Sequence, residues 1–178
     1  MKNTLKIRKF TPQEWQTYRD RRLRALADSP DAFGSTLAAE GDRPDSEWSN
    51  RLISGADSNW DLPLLAEIDI EPIGLTWGRI EKANPDVANL YQMWVAPTHR
   101  GLGAGKMLLE AVIAWARDRD VNCLDLGVTL RDSPAMRLYT RAGFQPLGEP
   151  QPMRQGSELL GQPMRLVLKG NAANTRTG

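Results

Sequence analysis

Arg100-Gly101-Leu102-Gly103-Ala104-Gly105-Lys106 places three glycines between two cations. An apolar, β-rich run ending at Val95 leads into it, and Met107, Leu108, Ala111, Val112, Ala114 and Trp115 recur at helical spacing behind it. A strand, a glycine-dense turn and a helix in that order make an anion-binding design. Glycine removes side chains so that consecutive backbone N–H groups converge on a phosphate, and the helix start adds unsatisfied donors and the positive end of its dipole. Arg100 and Lys106 add full positive charge on either side.

The spacing separates this loop from other phosphate cradles. A P-loop needs a Ser or Thr hydroxyl after its lysine, and Met107 stands there. A dinucleotide fingerprint needs Gly-x-Gly-x-x-Gly, and Gly101-x-Gly103-x-Gly105 has the wrong register, although Asp125 lies near the acidic position. Arg100 to Gly105 instead resembles the Arg/Gln-x-x-Gly-x-Gly/Ala pyrophosphate loop of the GNAT superfamily of acyl-CoA N-acyltransferases. Downstream, Asp132-Ser133-Pro134-Ala135 and Tyr139-Thr140-Arg141-Ala142-Gly143-Phe144 resemble that family's Asn-x-x-Ala-x-x-x-Tyr-x-x-x-Gly-Phe element. The resemblance runs from Leu90 to Leu147. It is fainter over Arg22-Leu23-Arg24-Ala25-Leu26 and Ser29-Pro30-Asp31-Ala32-Phe33-Gly34.

The resemblance implies an α/β fold: a twisted, mostly antiparallel sheet of six to seven strands with one splayed parallel pair, flanked by about four helices. It implies direct, sequential transfer of an acetyl group from acetyl-CoA, as co-substrate, to a primary amine, with no metal. The pyrophosphate falls to Arg100, Gly101, Leu102, Gly103, Ala104, Gly105 and Lys106. The pantetheine amides fall to backbone groups of Met93, Trp94 and Val95, and Ala135 joins the cofactor contacts. Tyr139 is the implied general acid for the departing thiolate, since a phenol with a pKa near 10 is protonated at neutral pH. Asp132 departs from the family's asparagine. It remains a cofactor-contact candidate, with helix capping beside Ser133 as the alternative.

The general base is less legible, because Leu90 to Trp94 holds no carboxylate. Glu67 is the candidate; Asp69, Glu81 and Glu40 are others. His99, the single histidine, belongs beside the phosphate loop and not at the amine. The acceptor pocket is expected from the first half of the chain, with Phe33, Trp48 and Trp77 as lining. Arg21 and Arg22 suit an acceptor bearing a carboxylate or phosphate, or else form the wet face of the first helix. The preferred acceptor is a small molecule such as an amino acid, a polyamine or an amine-bearing antibiotic. A protein N-terminus or lysine is the rival, and a non-catalytic CoA-binding regulatory module is a further alternative.

The elements that must position these residues follow from local signals. Leu5–Arg8 alternates like a strand, and Thr11-Pro12-Gln13-Glu14 reads as a capping box opening a helix to Asp28. A second helical segment, in two pieces around Gly41 and Pro44, carries Trp48, Leu52 and Ile53. Leu62–Ile70, Ile73–Ile80 and Val87–Val95 form a meander turning at Glu71-Pro72 and Ala83–Asp86. A helix over Gly103–Arg119 leads to a strand, Cys123–Val128, parallel to the one ending at Val95, with Cys123 in the core. Ser133-Pro134 starts a helix that Gly143 ends, followed by strands at Phe144–Leu147 and Met164–Leu168.

The 178 residues, 40% hydrophobic and 25% charged, suit one domain over residues 1–169 with a flexible tail at 170–178. A net charge of +1 gives no reason to expect a nucleic-acid or membrane partner. One cysteine excludes an internal disulfide. No apolar run reads as a membrane span or leader, so the cytoplasm is the expected location. A homodimer through the C-terminal strands is compatible with such a fold.

Overall fold

Strands form where β-branched and apolar residues alternate, and helices where apolar residues recur three and four apart. The computed structural model describes residues 3–170, so the expected tail, from residue 171 on, lies outside the described residues. The elements run β1 (Leu5–Lys9), α1 (Trp15–Asp28), α2 (Leu37–Gly41), α3 (Asp45–Asp57), β2 (Asp61–Ile68), β3 (Glu71–Ile80), β4 (Val87–Val95), α4 (Ala104–Asp118), β5 (Cys123–Thr129), α5 (Pro134–Arg141), β6 (Gln145–Pro146), β7 (Gln151–Pro152) and β8 (Leu160–Val167). One sheet holds them in the order β1-β2-β3-β4-β5-β8-β6, with β7 also on β8. Every pairing is antiparallel except β4 with β5. The eighth strand, beyond the six to seven expected, arises because two short strands, β6 and β7, share the outer edge of β8.

The sheet buries both faces. On one, Leu108, Val112 and Trp115 of α4 pack with Leu64, Ala88, Leu90, Leu124 and Phe144. On the other, Tyr18 and Leu26 of α1 and Trp48 and Leu52 of α3 pack with Leu65, Leu75, Trp77 and Trp94. Gly78 faces α4, where an added Cβ would lie 3.0 Å from the Trp115 ring. Cys123 sits buried in the core as expected.

Three boundaries differ from the sequence reading. The β2–β3 turn is Asp69-Ile70, not Glu71-Pro72, and both residues have positive φ, +48° and +71°. Such a turn matches the right-handed twist of the strands it joins, so twist outweighs the local preference for a proline turn. The helix expected from Thr11 begins as a 3₁₀ turn, Pro12–Glu14, before α1. The Thr11 N–H still donates to Glu14 Oε2 at 2.8 Å, as a capping box requires. The last strand starts at Leu160 rather than Met164, and Pro163 is tolerated within it. Its carbonyl accepts the Leu147 N–H at 2.8 Å.

A bulge in β4 reverses which face its side chains reach. Trp77 pairs with Tyr91 and Leu75 with Trp94, so two steps along β3 meet three along β4. Gln92, at φ +60°, absorbs the extra residue. Before the bulge Ala88 and Leu90 face α4; beyond it Met93 and Val95 do, and Trp94 turns toward α1.

The α3–sheet contact is tight enough to test. A Cβ at Gly55 would fall 2.3 Å from Cζ2 of Trp77. Gly55→Ala should cost about 1–3 kcal/mol, the usual penalty of overpacking, read as a lower urea midpoint at unchanged m-value.

Candidate active site

Parallel strands need ladders of slanted bonds to stay together, and β4 and β5 pair only over Val87–Asn89 with Cys123–Asp125. Beyond Asn89 they diverge. The gap opens a cleft of about 1820 Å³ that runs from the acceptor-side helices across the sheet to α4. That exceeds the roughly 300–1,000 Å³ of a pocket for one drug-sized ligand, so there is room for a cofactor-sized molecule and a second substrate.

At the α4 end, Gly101 and Gly103 have φ +81° and +91°. No atom lies within 4 Å of a Cβ added at either, so the backbone conformation, not space, demands glycine. Met107 N–H makes the first bond of the helix, to Gly103 O at 3.0 Å. The N–H groups of Ala104, Gly105 and Lys106 precede that bond and have no acceptor among the described residues. These free donors, at the positive end of a helix, face the cleft and fit a diphosphate.

Arg100 is engaged elsewhere. Its Nε donates to Val95 O at 3.0 Å and its Nη2 to Asp28 Oδ2 at 2.7 Å. The same carboxylate oxygen accepts Trp94 Nε1 at 3.0 Å and the Ser29 hydroxyl at 2.7 Å. Asp28 thus staples the end of β4 and the glycine loop to the end of α1. The sequence carried a signal for this: an acid in the last turn opposes the helix dipole and wants partners from elsewhere. Leu102 points to solvent, and Lys106, on the cleft, reaches Glu110 only at 3.8 Å.

Around the middle of the cleft lie Met93, Trp94, Val95, Ala135 and Tyr139. Trp94 contributes backbone; its ring is buried against α1. Tyr139 is 4% exposed, set edge-on to Phe144 at 5.8 Å, and its hydroxyl has no hydrogen-bond partner among the described residues. Burial pushes its pKa well above that of free tyrosine. Asp132 does not reach the cleft lining. Its exposed carboxylate accepts Arg137 Nη1 at 2.7 Å, and Ser133 alone caps α5, accepting the Met136 N–H at 3.1 Å.

Of the expected acceptor residues, Phe33 and Trp77 line the cleft and Trp48 does not. Trp48 is fully buried, because α3 turns it under the sheet against Tyr18 at 5.7 Å. Glu67 is also absent from the lining. It is 7% exposed on β2 and accepts Arg8 Nε at 3.0 Å, within a cluster where Arg8 also bridges Glu14 at 2.7 Å. A carboxylate so placed holds β1 to β2 and does not meet an amine in the cleft. The carboxylates that do line it are Glu40 and Glu110. Glu40 accepts the Ser35 hydroxyl at 3.0 Å and Arg51 Nη1 at 3.2 Å, and its pKa lies below the ordinary value: burial raises it, but these bonds and the arginine charges outweigh that. The two arginines of α1 part company. Arg21 donates to Pro72 O at 2.9 Å and pairs with Asp20, whereas Arg22 is buried on the cleft.

Sequence reasoning missed Gln92, which lines the cleft at the β4 bulge and accepts the Tyr18 hydroxyl at 2.9 Å on Oε1. No local signal marks it, since bulges are set by strand pairing. It also missed Arg154, whose Nη1 donates to Phe33 O at 2.9 Å and ties the segment before β8 to the loop after α1.

Among the described residues no three His, Cys, Asp or Glu side chains form a metal-binding group, and no helix is long and apolar enough to cross a membrane.

The Acetyltransferase (GNAT) family profile matches residues 8–144. A mycothiol acetyltransferase from Stackebrandtia nassauensis is 31% identical over 123 residues, 67% of this chain and 37% of that protein. A streptothricin acetyltransferase from Streptomyces lavendulae is 38% identical over 68 residues, 38% of this chain and 36% of that one. The chain thus spans well under half the length of these curated relatives. In fold, it is similar to a GNAT-family acetyltransferase from Streptococcus pneumoniae, with a TM-score of 0.76 and 22% identity over 92% of this chain and 99% of that one. It is equally close to an acetyltransferase from Salmonella typhimurium solved with its cofactor acetyl-CoA, with a TM-score of 0.76 and 18% identity over 97% and 99% of the two chains.

The Asp28 staple has a pH signature. Its carboxyl is held below the ordinary 3.8, first by the Trp94 indole N–H and then by the Ser29 hydroxyl, with Arg100 adding to both. A depressed carboxylate stabilises the fold above its unfolded pKa and loses that contribution as pH falls through the folded value. Asp28→Asn should therefore melt below the wild type at pH 7. The gap should narrow as pH drops below 3.8, measured by tryptophan-fluorescence melts; an unchanged gap would remove the ionic contribution.

Proposed function

The chain belongs to the acetyltransferase (GNAT) family, and from that premise we propose that it transfers an acetyl group from acetyl-CoA to a primary amine of a small-molecule acceptor. The observation that carries this reading is the divergence of β4 from β5, which opens one cleft onto the free N–H groups of α4 at one end and the aromatic pocket at the other. The diphosphate is held by Gly101 to Lys106 and the pantetheine runs along the freed edge of β4, whose unpaired backbone groups offer it a strand-like partner. The acceptor enters beside Phe33 and Trp77. Its nitrogen attacks the thioester carbonyl carbon, the C–S bond breaks, and the sulfur leaves beside Tyr139.

In this reading Tyr139 gives its proton to the departing sulfur, which leaves as the thiol, and Tyr139 regains a proton from solvent in the cleft. Desolvation keeps the phenol protonated at neutral pH, so it is always a donor; the same desolvation weakens it as an acid, and its value lies in stabilising the developing thiolate. The amine's own proton passes to water, since Glu40 is held by Arg51 and Glu110 lies beside Lys106 on α4, at the diphosphate end. The Arg154–Phe33 bond, which draws the segment before β8 across the acceptor end, supports a small acceptor over a peptide lying in an open groove. The relatives' names point the same way: mycothiol and streptothricin are small molecules.

Isothermal titration with acetyl-CoA, with ATP and NAD in parallel, followed by thiol-release assays over an amine library, tests the reading. Binding of acetyl-CoA alone, with amine-dependent thiol release, is the expected outcome. Tyr139→Phe should lower turnover by about tenfold or more with acetyl-CoA affinity little changed; unchanged turnover would remove the acid role. Gly103→Asp should abolish acetyl-CoA binding, since it forces a side chain into a left-handed conformation and sets a negative charge at the diphosphate. Normal binding in that variant would place the ligand elsewhere.

A further inference from the structure

Arg22 is 5% exposed, yet among the described residues its Nε and Nη1 have no hydrogen-bond partner. A buried guanidinium without an acceptor is costly, and native structures keep such groups for a reason. The Arg22 guanidinium carbon lies over the Phe33 ring, 4.8 Å from the centroid, and both residues line the cleft. Nearby, Arg51 and Glu40 neutralise each other, at 3.2 Å, and Arg43 and Ser35 occupy more of the same carboxylate. Gln92 faces the cleft with Oε1 held by Tyr18, which leaves its amide nitrogen as the free end. This end of the cleft therefore offers unspent donors on a buried guanidinium, and among the described residues its one carboxylate, Glu40, is already bonded by Arg51.

We propose that the acceptor amine also carries an anionic oxygen group, a carboxylate or a phosphate, which binds Arg22 with help from Gln92 while its amino group is directed toward β4. The proposal rests on the acetyl-transfer reading and adds the acceptor's second functional group. The planar fork of an arginine matches the two oxygens of such a group, and the Phe33 ring beneath holds the fork in plane. Polyamines fit poorly, because an additional ammonium would meet Arg22 with no free anion to bind. Burial lowers the pKa of Arg22, and a bound anion offsets that cost. Arg22 is thus a specificity-determining residue.

The experiment is steady-state thiol release from acetyl-CoA with L-amino acids, their carboxamides, phosphoethanolamine and spermidine, on the wild type, Arg22→Met and Arg22→Lys. In the wild type, kcat/KM for one of the anionic classes should exceed that for the carboxamides and spermidine by about tenfold or more, the scale of a hydrogen bond to a charged group. Whichever of the amino acids or phosphoethanolamine is preferred identifies the anion. Arg22→Met should erase that preference mainly through KM, leave acetyl-CoA affinity unchanged, and melt no lower than the wild type, since it removes an unpaired buried charge. Arg22→Lys, which keeps the charge and loses the fork, should fall between. A residue with only a structural role would lower the melting temperature and leave the preference intact. Equal use of the carboxamides or spermidine by the wild type, or a preference unaltered in Arg22→Met and Arg22→Lys, overturns the proposal and leaves acetyl transfer standing. Absence of thiol release with every amine would overturn the acetyl-transfer reading and this inference with it.

Discussion

The cleft exists because β4 stops bonding to β5 after three residues. Were the parallel ladder to continue to Val95, its backbone would be satisfied within the sheet and no opening would connect α4 to the helices on the opposite face. The bulge at Gln92 adds to this separation. It sends Met93 and Val95 toward α4 and Trp94 toward α1, so the end of β4 is anchored on both faces while its edge toward β5 stays free. An edge left unpaired inside a protein is costly unless something completes it. A molecule that supplied strand-like donors and acceptors would complete it.

Anchoring an open edge takes other interactions, and Asp28 provides them. One carboxylate oxygen collects the Trp94 indole, the Ser29 hydroxyl and the Arg100 guanidinium, while the same arginine holds the carbonyl of Val95. The strand end, the phosphate loop and the first helix are thereby fixed to one another. Arg100 matches a motif position associated with the pyrophosphate, yet here its guanidinium sets the geometry of the loop. The free N–H groups of α4 and the side chain of Lys106 are what remain to meet an anion. This division is economical: backbone donors in a fixed turn need no side-chain ordering when the ligand arrives.

The two ends of the cleft differ in how they handle charge. At the end lined by α1 to α3, Glu40 is bonded by Arg51, and the buried Arg22 keeps Nε and Nη1 without a hydrogen-bond partner among the described residues. At the glycine-loop end, the side chains are exposed and weakly paired, and the free donors are the amides at the start of α4. Between them Tyr139 sits in an apolar setting that holds its proton in place. In the proposed reaction the chemistry lies where the dielectric is lowest, with charged groups to either side.

By itself the sequence determined the glycine turn, the helix behind it, the parallel strand pair and the placement of Tyr139 on the helix after β5, because each rests on local signals: glycine where φ must be positive, apolar spacing of 3.6 or 2, a serine cap before a proline. It also named Phe33 and Trp77 as lining of a pocket from the first half of the chain, and both line the cleft. Only the tertiary structure decided that Glu67 is tied to Arg8, that Trp48 lies under the sheet, that Asp132 faces solvent beside Arg137, and that of two neighbouring arginines Arg22 turns inward and Arg21 does not. Each of those outcomes depends on what a residue far along the chain presents at the same point in space. The β4 bulge is the clearest instance: a composition of Leu-Tyr-Gln-Met-Trp-Val carries no mark of it, and the long-range register against β3 imposes it, reversing the inside and outside of the strand that builds the site.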